Sequence, residues 1–210
     1  MLILIGPSFA YGTSQLQAQT VQRPQARPFV EGDLVPRTRW AHRPGHMSWN
    51  HAAASALKTH GAALVRTVPG DIANWCPHYA KAGAAARRVF WIGFLSALAK
   101  HESTYRQDAV GGGGRWFGLL QISPGTARGY GCQAGSGEAL REGGANLSCA
   151  IRIMAVTVPR DGVIYGPGGR GVAADWGPMR SQSKRADIAG WTRAMPTCQS
   201  LGTVRPQIRP

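Results

Sequence analysis

Glu102 closes the most regular segment of the sequence. Leu98 precedes it by four residues and Leu95 by seven, a spacing that sets all three on one face of a helix. Together with Phe90 and Phe94, they predict a core-facing helix from Ala84 to about Ser103. A carboxyl group on such a face is partly desolvated, which disfavours its charged form and keeps it protonated nearer neutrality. A glycosidase acid needs this property, and an apolar setting can lift a Glu to roughly pH 6. The competing reading is a helix-terminal Glu that pairs with Lys100 or Arg106.

Other chemistries fit the residues less well. His101-Glu102-Ser103-Thr104-Tyr105 approaches the zinc-protease pattern His-Glu-x-x-His. That pattern needs its second His four residues after the first, to put both ligands on one helix face, and Tyr105 stands there. Gly111 to Gly114 is not followed by Gly-Lys-Ser/Thr, so it reads as a flexible loop and not as a phosphate cradle. Cys76, Cys132, Cys149 and Cys198 form no Cys-x-x-Cys pair, and Cys76-Pro77-His78 is the only close Cys/His pair. Zinc is therefore disfavoured, and neither a metal nor a cofactor is expected. An even cysteine count suits an oxidising compartment; a set of free buried thiols is the alternative.

Around Glu102 the sequence predicts a mainly α domain, because strand signals are sparse. Residues 1–18 open Met1-Leu-Ile-Leu-Ile-Gly and offer Ser8-Phe-Ala10 or Leu16-Gln-Ala18 as cleavage points, so they read as a signal-like segment or else as a tail. Residues 19–45 are rich in Gln, Pro and Arg and read as a linker. The globular domain is expected over 46–199, with flexible flanks and a polar tail at 200–210. Inside it, a helical texture starts at Met47, and Asp71 is placed to cap a segment running toward Tyr79. Ser123-Pro124 opens a short helix, another helix spans about Asn146 to Thr157, and the glycine-rich stretch 162–171 is loop.

Two motifs in order then become recognisable. Ala99-Lys-His-Glu102-Ser103 is followed, after fourteen residues, by Gly118-Leu-Leu-Gln121-Ile122-Ser-Pro124. The pair resembles the signature of lytic transglycosylases with a lysozyme-like fold (the SLT domain). Similarity continues through Tyr130-Gly-Cys132, Asn146-Leu-Ser-Cys149-Ala-Ile-Arg-Ile153 and Trp176 to Arg180, covering residues 70–199. The resemblance implies a lysozyme-like single domain that cleaves the MurNAc–GlcNAc β-1,4 bond of peptidoglycan. Glu102 would be the sole acid/base, and the product a 1,6-anhydromuramoyl end. It also implies that Ser103 supports the Glu and the sugar, that Gln121 lines the sugar groove and that Gly118 lets the backbone approach closely. The family's late Ala-Tyr-Asn-Ala-Gly segment is matched only by Ala173-Ala-Asp-Trp176-Gly177. Tyr165 is the candidate source of the missing phenol, and Trp176 is a candidate sugar contact. Asp108, Asp161 and Asp175 are the carboxylates that a hydrolase of the same bond would need as a second group.

Four cysteines permit three pairings, and the layout of the chain favours Cys132 with Cys149 and Cys76 with Cys198. The first pair flanks the segment after Gln121, and the second fastens the ends of the domain. The 24 Lys and Arg against 10 Asp and Glu give a formal charge of +14, which attracts polyanions. A non-catalytic basic module for wall or polyanion binding is thus the reading of another class. Specific nucleic-acid binding is not expected, since the basic flanks lack interleaved aromatics and any groove-reading motif. No apolar run reaches the ~18 residues of a membrane anchor. The expected setting is periplasmic or secreted. The expected partner is the peptidoglycan strand, with a secretion, conjugation or flagellar assembly as a further candidate.

Overall fold

Helix α3 (Ala84–Glu102) is buried on every side from Val89 through Ala99. The sequence pattern predicts one core-facing stripe, but the residues between its members (Trp91, Ile92, Gly93, Ala97) are apolar or small as well. A helix apolar all round belongs in the middle of a domain. Its one buried hydroxyl is satisfied: Ser96 Oγ donates to Gly93 O at 2.7 Å and accepts the Arg39 N–H at 3.0 Å. Trp91 Nε1 donates to Tyr79 Oη at 2.9 Å, and Trp75 stands edge-on to Phe94 with 5.7 Å between ring centroids.

The structure, a computed structural model, describes residues 38–199. The other helices are α1 (His46–Lys58), α2 (Ala62–Arg66), α4 (Pro124–Gly129), α5 (Gly143–Asp161) and α6 (Gln182–Arg193). Helix α5 packs most extensively on α1 and α2, and α6 packs on α3. Two small antiparallel hairpins complete the fold: β1 (Val110–Gly111) pairs with β2 (Trp116–Phe117), and β3 (Tyr165–Gly166) with β4 (Arg170–Gly171). The described chain is mainly α with one hydrophobic core.

Several boundaries differ from the sequence expectation, each for a local reason. The domain starts earlier than residue 46. Trp40 is fully buried, donates through Nε1 to Asn50 Oδ1 at 2.8 Å and stands edge-on to Trp49. One aromatic in a Pro/Arg-rich stretch carries no periodicity, so only the packed chain exposes its role. The signal-like segment 1–18, the linker up to residue 37 and the tail 200–210 lie outside the described residues.

Asp71 does not cap the 3₁₀ turn Ile72–Asn74 that follows it. Its carboxylate instead accepts from Trp75 Nε1 (2.8 Å) and from the N–H groups of Ile164 (2.7 Å) and Tyr165 (2.9 Å), tying that turn to the second hairpin. The expected loop at 162–171 contains this hairpin. Helix α5 begins three residues before Asn146, because the Glu142 carboxylate accepts from the N–H groups of Gly144 and Ala145. It continues past Thr157, with Pro159 accommodated in the last turn and Gly162 closing it in the left-handed conformation. Helix α4 starts as expected, with Ser123 Oγ accepting the Thr126 N–H at 3.0 Å.

The disulfides are Cys76–Cys198 and Cys132–Cys149. The first joins the segment before α3 to the turn after α6, and the second joins the end of α4 to α5. Replacing Cys132 and Cys149 together by Ser frees a loop closed over 17 residues. The unfolding free energy, read by denaturant titration, should fall by about 3 kcal/mol.

Candidate functional site

Glu102 is the last residue of α3, at the point where the buried helix reaches the surface, and it is half-buried. Burial raises its carboxyl to about 7, an effect that the nearby Lys184 ammonium opposes. The position at a helix C-terminus acts in the same direction as burial, since a negative charge is disfavoured there. No hydrogen bond or ion pair among the described residues holds the carboxyl. Lys100, a candidate partner, bonds to Asp187, and the Arg106 Nε donates to the Ser103 carbonyl at 3.5 Å. The group is therefore an unpaired acid that keeps its proton to near-neutral pH and is free to donate it to a bound molecule.

The chain just beyond Glu102 is strained. Thr104 (φ 52°) and Tyr105 (φ 62°) both occupy the left-handed region, as does Gln121 (φ 48°), and no other non-glycine residue among those described does so. Each such residue costs on the order of 1–3 kcal/mol and persists only where its surroundings enforce it. All three fall in or beside the two motifs found in the sequence.

Asn146 provides much of that enforcement for the second motif. It is fully buried on α5. Its Nδ2 donates to Phe117 O and Leu140 O, both at 2.9 Å, and its Oδ1 accepts the Leu120 N–H at 2.9 Å. Gly118 lies against this group with φ +81°, and a Cβ there would stand 2.1 Å from Leu140 O and 2.3 Å from Asn146 Nδ2. The close approach that requires glycine is thus an approach of the protein to itself. Trp176 is likewise buried, with Nε1 donating to Leu120 O at 3.0 Å, so it braces the motif and does not present its ring for a sugar to contact. Gln121 folds back over the first hairpin, donating from Nε2 to Ala109 O (3.2 Å) and Gly118 O (2.9 Å). Ser103 is buried and its Oγ accepts the Arg106 N–H at 3.2 Å, closing the turn after α3.

Tyr165 lies in β3 with the Arg185 guanidinium 3.8 Å from its ring centroid. Arg185 follows Lys184, whose charge reaches Glu102, so the first turn of α6 is shared by both candidate residues. The sequence reading overlooked Trp116. It is 44% exposed on β2, its ring covers Gly112, and the Arg115 guanidinium lies 5.1 Å from its centroid. An aromatic just after a glycine run is the signal that the sequence offers. Asp187 and Asn146 were also passed over as functional groups, because their roles are defined only by distant partners.

The remaining carboxylates are mostly committed. Asp161 accepts from Arg160 and from the Gly171 N–H, and Asp175 Oδ2 accepts from Tyr130 Oη at 3.3 Å. Glu142 caps α5, Glu138 pairs with Arg141, and Asp108 is exposed. Burial raises the Asp175 carboxyl above its ordinary value, opposed by the Tyr130 hydrogen bond and by Arg160 and Arg180, whereas Lys184 acts on Glu102. No three His, Cys, Asp or Glu side chains among the described residues converge as a metal site.

Two predictions follow from this geometry. Asn146→Leu strands the Leu120 N–H and the Leu140 carbonyl, while Phe117 O keeps the Ile122 N–H; each unsatisfied group costs about 1–3 kcal/mol. Chemical denaturation should therefore register a loss of at least about 2 kcal/mol. The second concerns pH. The folded chain holds the Glu102 proton up to about 7, against 4.5 for an ordinary Glu. Between those values the folded state binds more protons than the unfolded state, so stability falls as pH rises through that window. Glu102→Gln should match the natural chain in Tm at pH 4 and exceed it at pH 8. A difference that does not vary with pH would contradict this account.

Neither a protein-family model nor a curated protein matches the chain. Among solved structures it is similar to Bd0314 DslA. The wild-type form and one variant are each 30% identical with a TM-score of 0.71, over 78% of this chain and 98% of that one. A second variant is 28% identical with a TM-score of 0.69, over 80% of this chain and 100% of that one. In both variants a glutamate of that protein is replaced by glutamine.

Proposed function

The chain belongs to the family of Bd0314 DslA, and from that premise we propose that it is an exported lytic transglycosylase of lysozyme-like fold. Its substrate in this reading is the MurNAc–GlcNAc bond of peptidoglycan, and Glu102 is its only acid/base. The observation that carries the reading is the Glu102 carboxyl itself: unpaired, set at the end of a buried helix and protonated up to about pH 7. The partners that hold Asp161 and Asp175 support a single-acid mechanism. Two disulfides are consistent with export. No helix among the described residues is long and apolar enough to cross a membrane.

The chemistry needs one proton-carrying group used twice. Glu102 gives its proton to the glycosidic oxygen as the bond to C1 breaks and positive charge develops on the sugar. The resulting carboxylate then takes the proton of the muramoyl 6-hydroxyl, whose oxygen closes on C1. A 1,6-anhydro ring forms, no water is consumed, and Glu102 is again protonated. Trp116 and Tyr165 are the side chains offered for sugar contact. Ser103, Gly118, Gln121 and Trp176 form the frame that holds the two motifs.

Mass spectrometry of digested peptidoglycan tests the mechanism, because anhydro products are one water lighter than hydrolytic ones. Glu102→Gln should lower the rate by more than the 10²–10⁴-fold typical of one acid/base step, on the order of 10⁴-fold or beyond. Asn at Asp108, Asp161 or Asp175 should cost far less. Reducing-end products together with an inactive Asp175→Asn would make the protein a two-carboxylate hydrolase. Undiminished wall association without any cleavage by the natural chain would make it a binding module.

A further inference from the structure

Helix α6 presents two side chains of opposite charge to the last turn of α3. Lys184 is exposed and its charge reaches the Glu102 carboxyl. Asp187, three residues on, gathers two cations and an imidazole from two other segments. Its carboxylate accepts from Arg39 Nη1 at 2.6 Å and Nη2 at 3.2 Å, from Lys100 Nζ at 3.1 and 3.3 Å, and from His101 Nε2 at 2.8 Å. Arg39 is fixed in addition by its N–H to Ser96 Oγ and by the Trp191 ring, 5.1 Å from its guanidinium.

Lys100 and His101 are the two residues before Glu102 on the same helical turn. Cations in the last turn of a helix are favoured by its dipole, but one brought within reach of the Glu102 carboxyl would stabilise its ionised form, as Lys184 does. Asp187 gives them another partner. We propose that Asp187 is a positioning residue for Glu102: by drawing Arg39, Lys100 and His101 onto one carboxylate, it leaves the Glu102 carboxyl unpaired and able to give its proton to a substrate. The proposal rests on the reading of Glu102 as the acid of the site.

Charged and titratable groups near this end of α3 come from several segments, among them His42, edge-on to Tyr105. Lys184 and Arg185 belong to α6, Lys100 and His101 to α3, Tyr105 and Arg106 to the turn after it, Arg39 to the segment before α1, and Tyr165 to β3. Of these, Lys184 is exposed, Arg185 is stacked on Tyr165, and Tyr105 feels both Arg39 and Asp187. Neutralising Asp187 would leave three donors without their shared charged acceptor, two of them the chain neighbours of Glu102.

The test is a carbon-13 NMR titration of the Glu102 carboxyl, identified as the resonance missing from Glu102→Gln, in the full chain without substrate. Asp187→Asn should lower the midpoint by about half a pH unit or more, and the alkaline limb of the activity profile should move down with it. Asp187→Glu should keep the midpoint near that of the natural chain. Lys100→Gln, which leaves Asp187 less neutralised, should raise it and carries the test if Asp187→Asn does not fold. Midpoints unmoved in both folded variants overturn the proposal, even where Glu102→Gln is inactive. A moved midpoint beside a fully active Glu102→Gln enzyme overturns the role of Glu102 instead.

Discussion

Desolvation at the C-terminal end of α3 is the constraint on which the rest of the site depends. Eleven consecutive residues of this helix, Val89 to Ala99, are buried, and the helix emerges only at its last turn. A carboxyl at that emergence lies between two environments. It is too enclosed to ionise as an exposed Glu does, yet open enough to meet a ligand. The apolar packing that stabilises the core thus also sets the proton affinity of Glu102, so core and chemistry are not separable here. Any change that loosens the packing around Leu95 and Leu98 would let water reach the carboxyl and shift its titration.

The second motif reaches its geometry by a different route. The segment from Phe117 to Ile122 has little regular structure, and its backbone groups cannot all pair with one another. Asn146 and Trp176 supply the missing partners from α5 and from the turn before α6, and Gly118 leaves room for the Asn146 amide. With these contacts in place, Gln121 can be held at positive φ and its amide folded back on the hairpin. Strain at Gln121 is thus offset by buried hydrogen bonds to Phe117, Leu120 and Leu140. This is the pattern expected where a protein holds a loop rigid for function.

Electrostatics work at two scales. The +14 formal charge is a long-range property, screened over about 8–10 Å at ordinary ionic strength, and it bears on encounter with an anionic polymer more than on chemistry. At short range the same excess of cations is a difficulty for a site that needs a protonated acid. On one helix face, the Asp187 carboxylate holds Arg39, Lys100 and His101, while the Lys184 ammonium acts on Glu102.

The sequence by itself determined the helix that carries Glu102, the order and spacing of the two motifs, the Ser123 cap and the mainly α character. These are local signals, written in periodicity and in residue types with fixed backbone preferences. The inward placement of Glu102 was legible too, because Leu95 and Leu98 share its face. Only the tertiary structure decided what the motif residues touch. Gly118, Trp176 and Ser103 prove to face the protein's own backbone, and Asp71 staples a hairpin where a helix cap was expected. Trp40 and Arg39 belong to the packed domain although their neighbours read as linker. Asp187 lies 86 residues from His101 and 148 from Arg39, and no periodicity links side chains so far apart. Such partnerships arise when helices pack, since hydrogen bonds and ion pairs depend on distance in space, while sequence patterns record only distance along the chain.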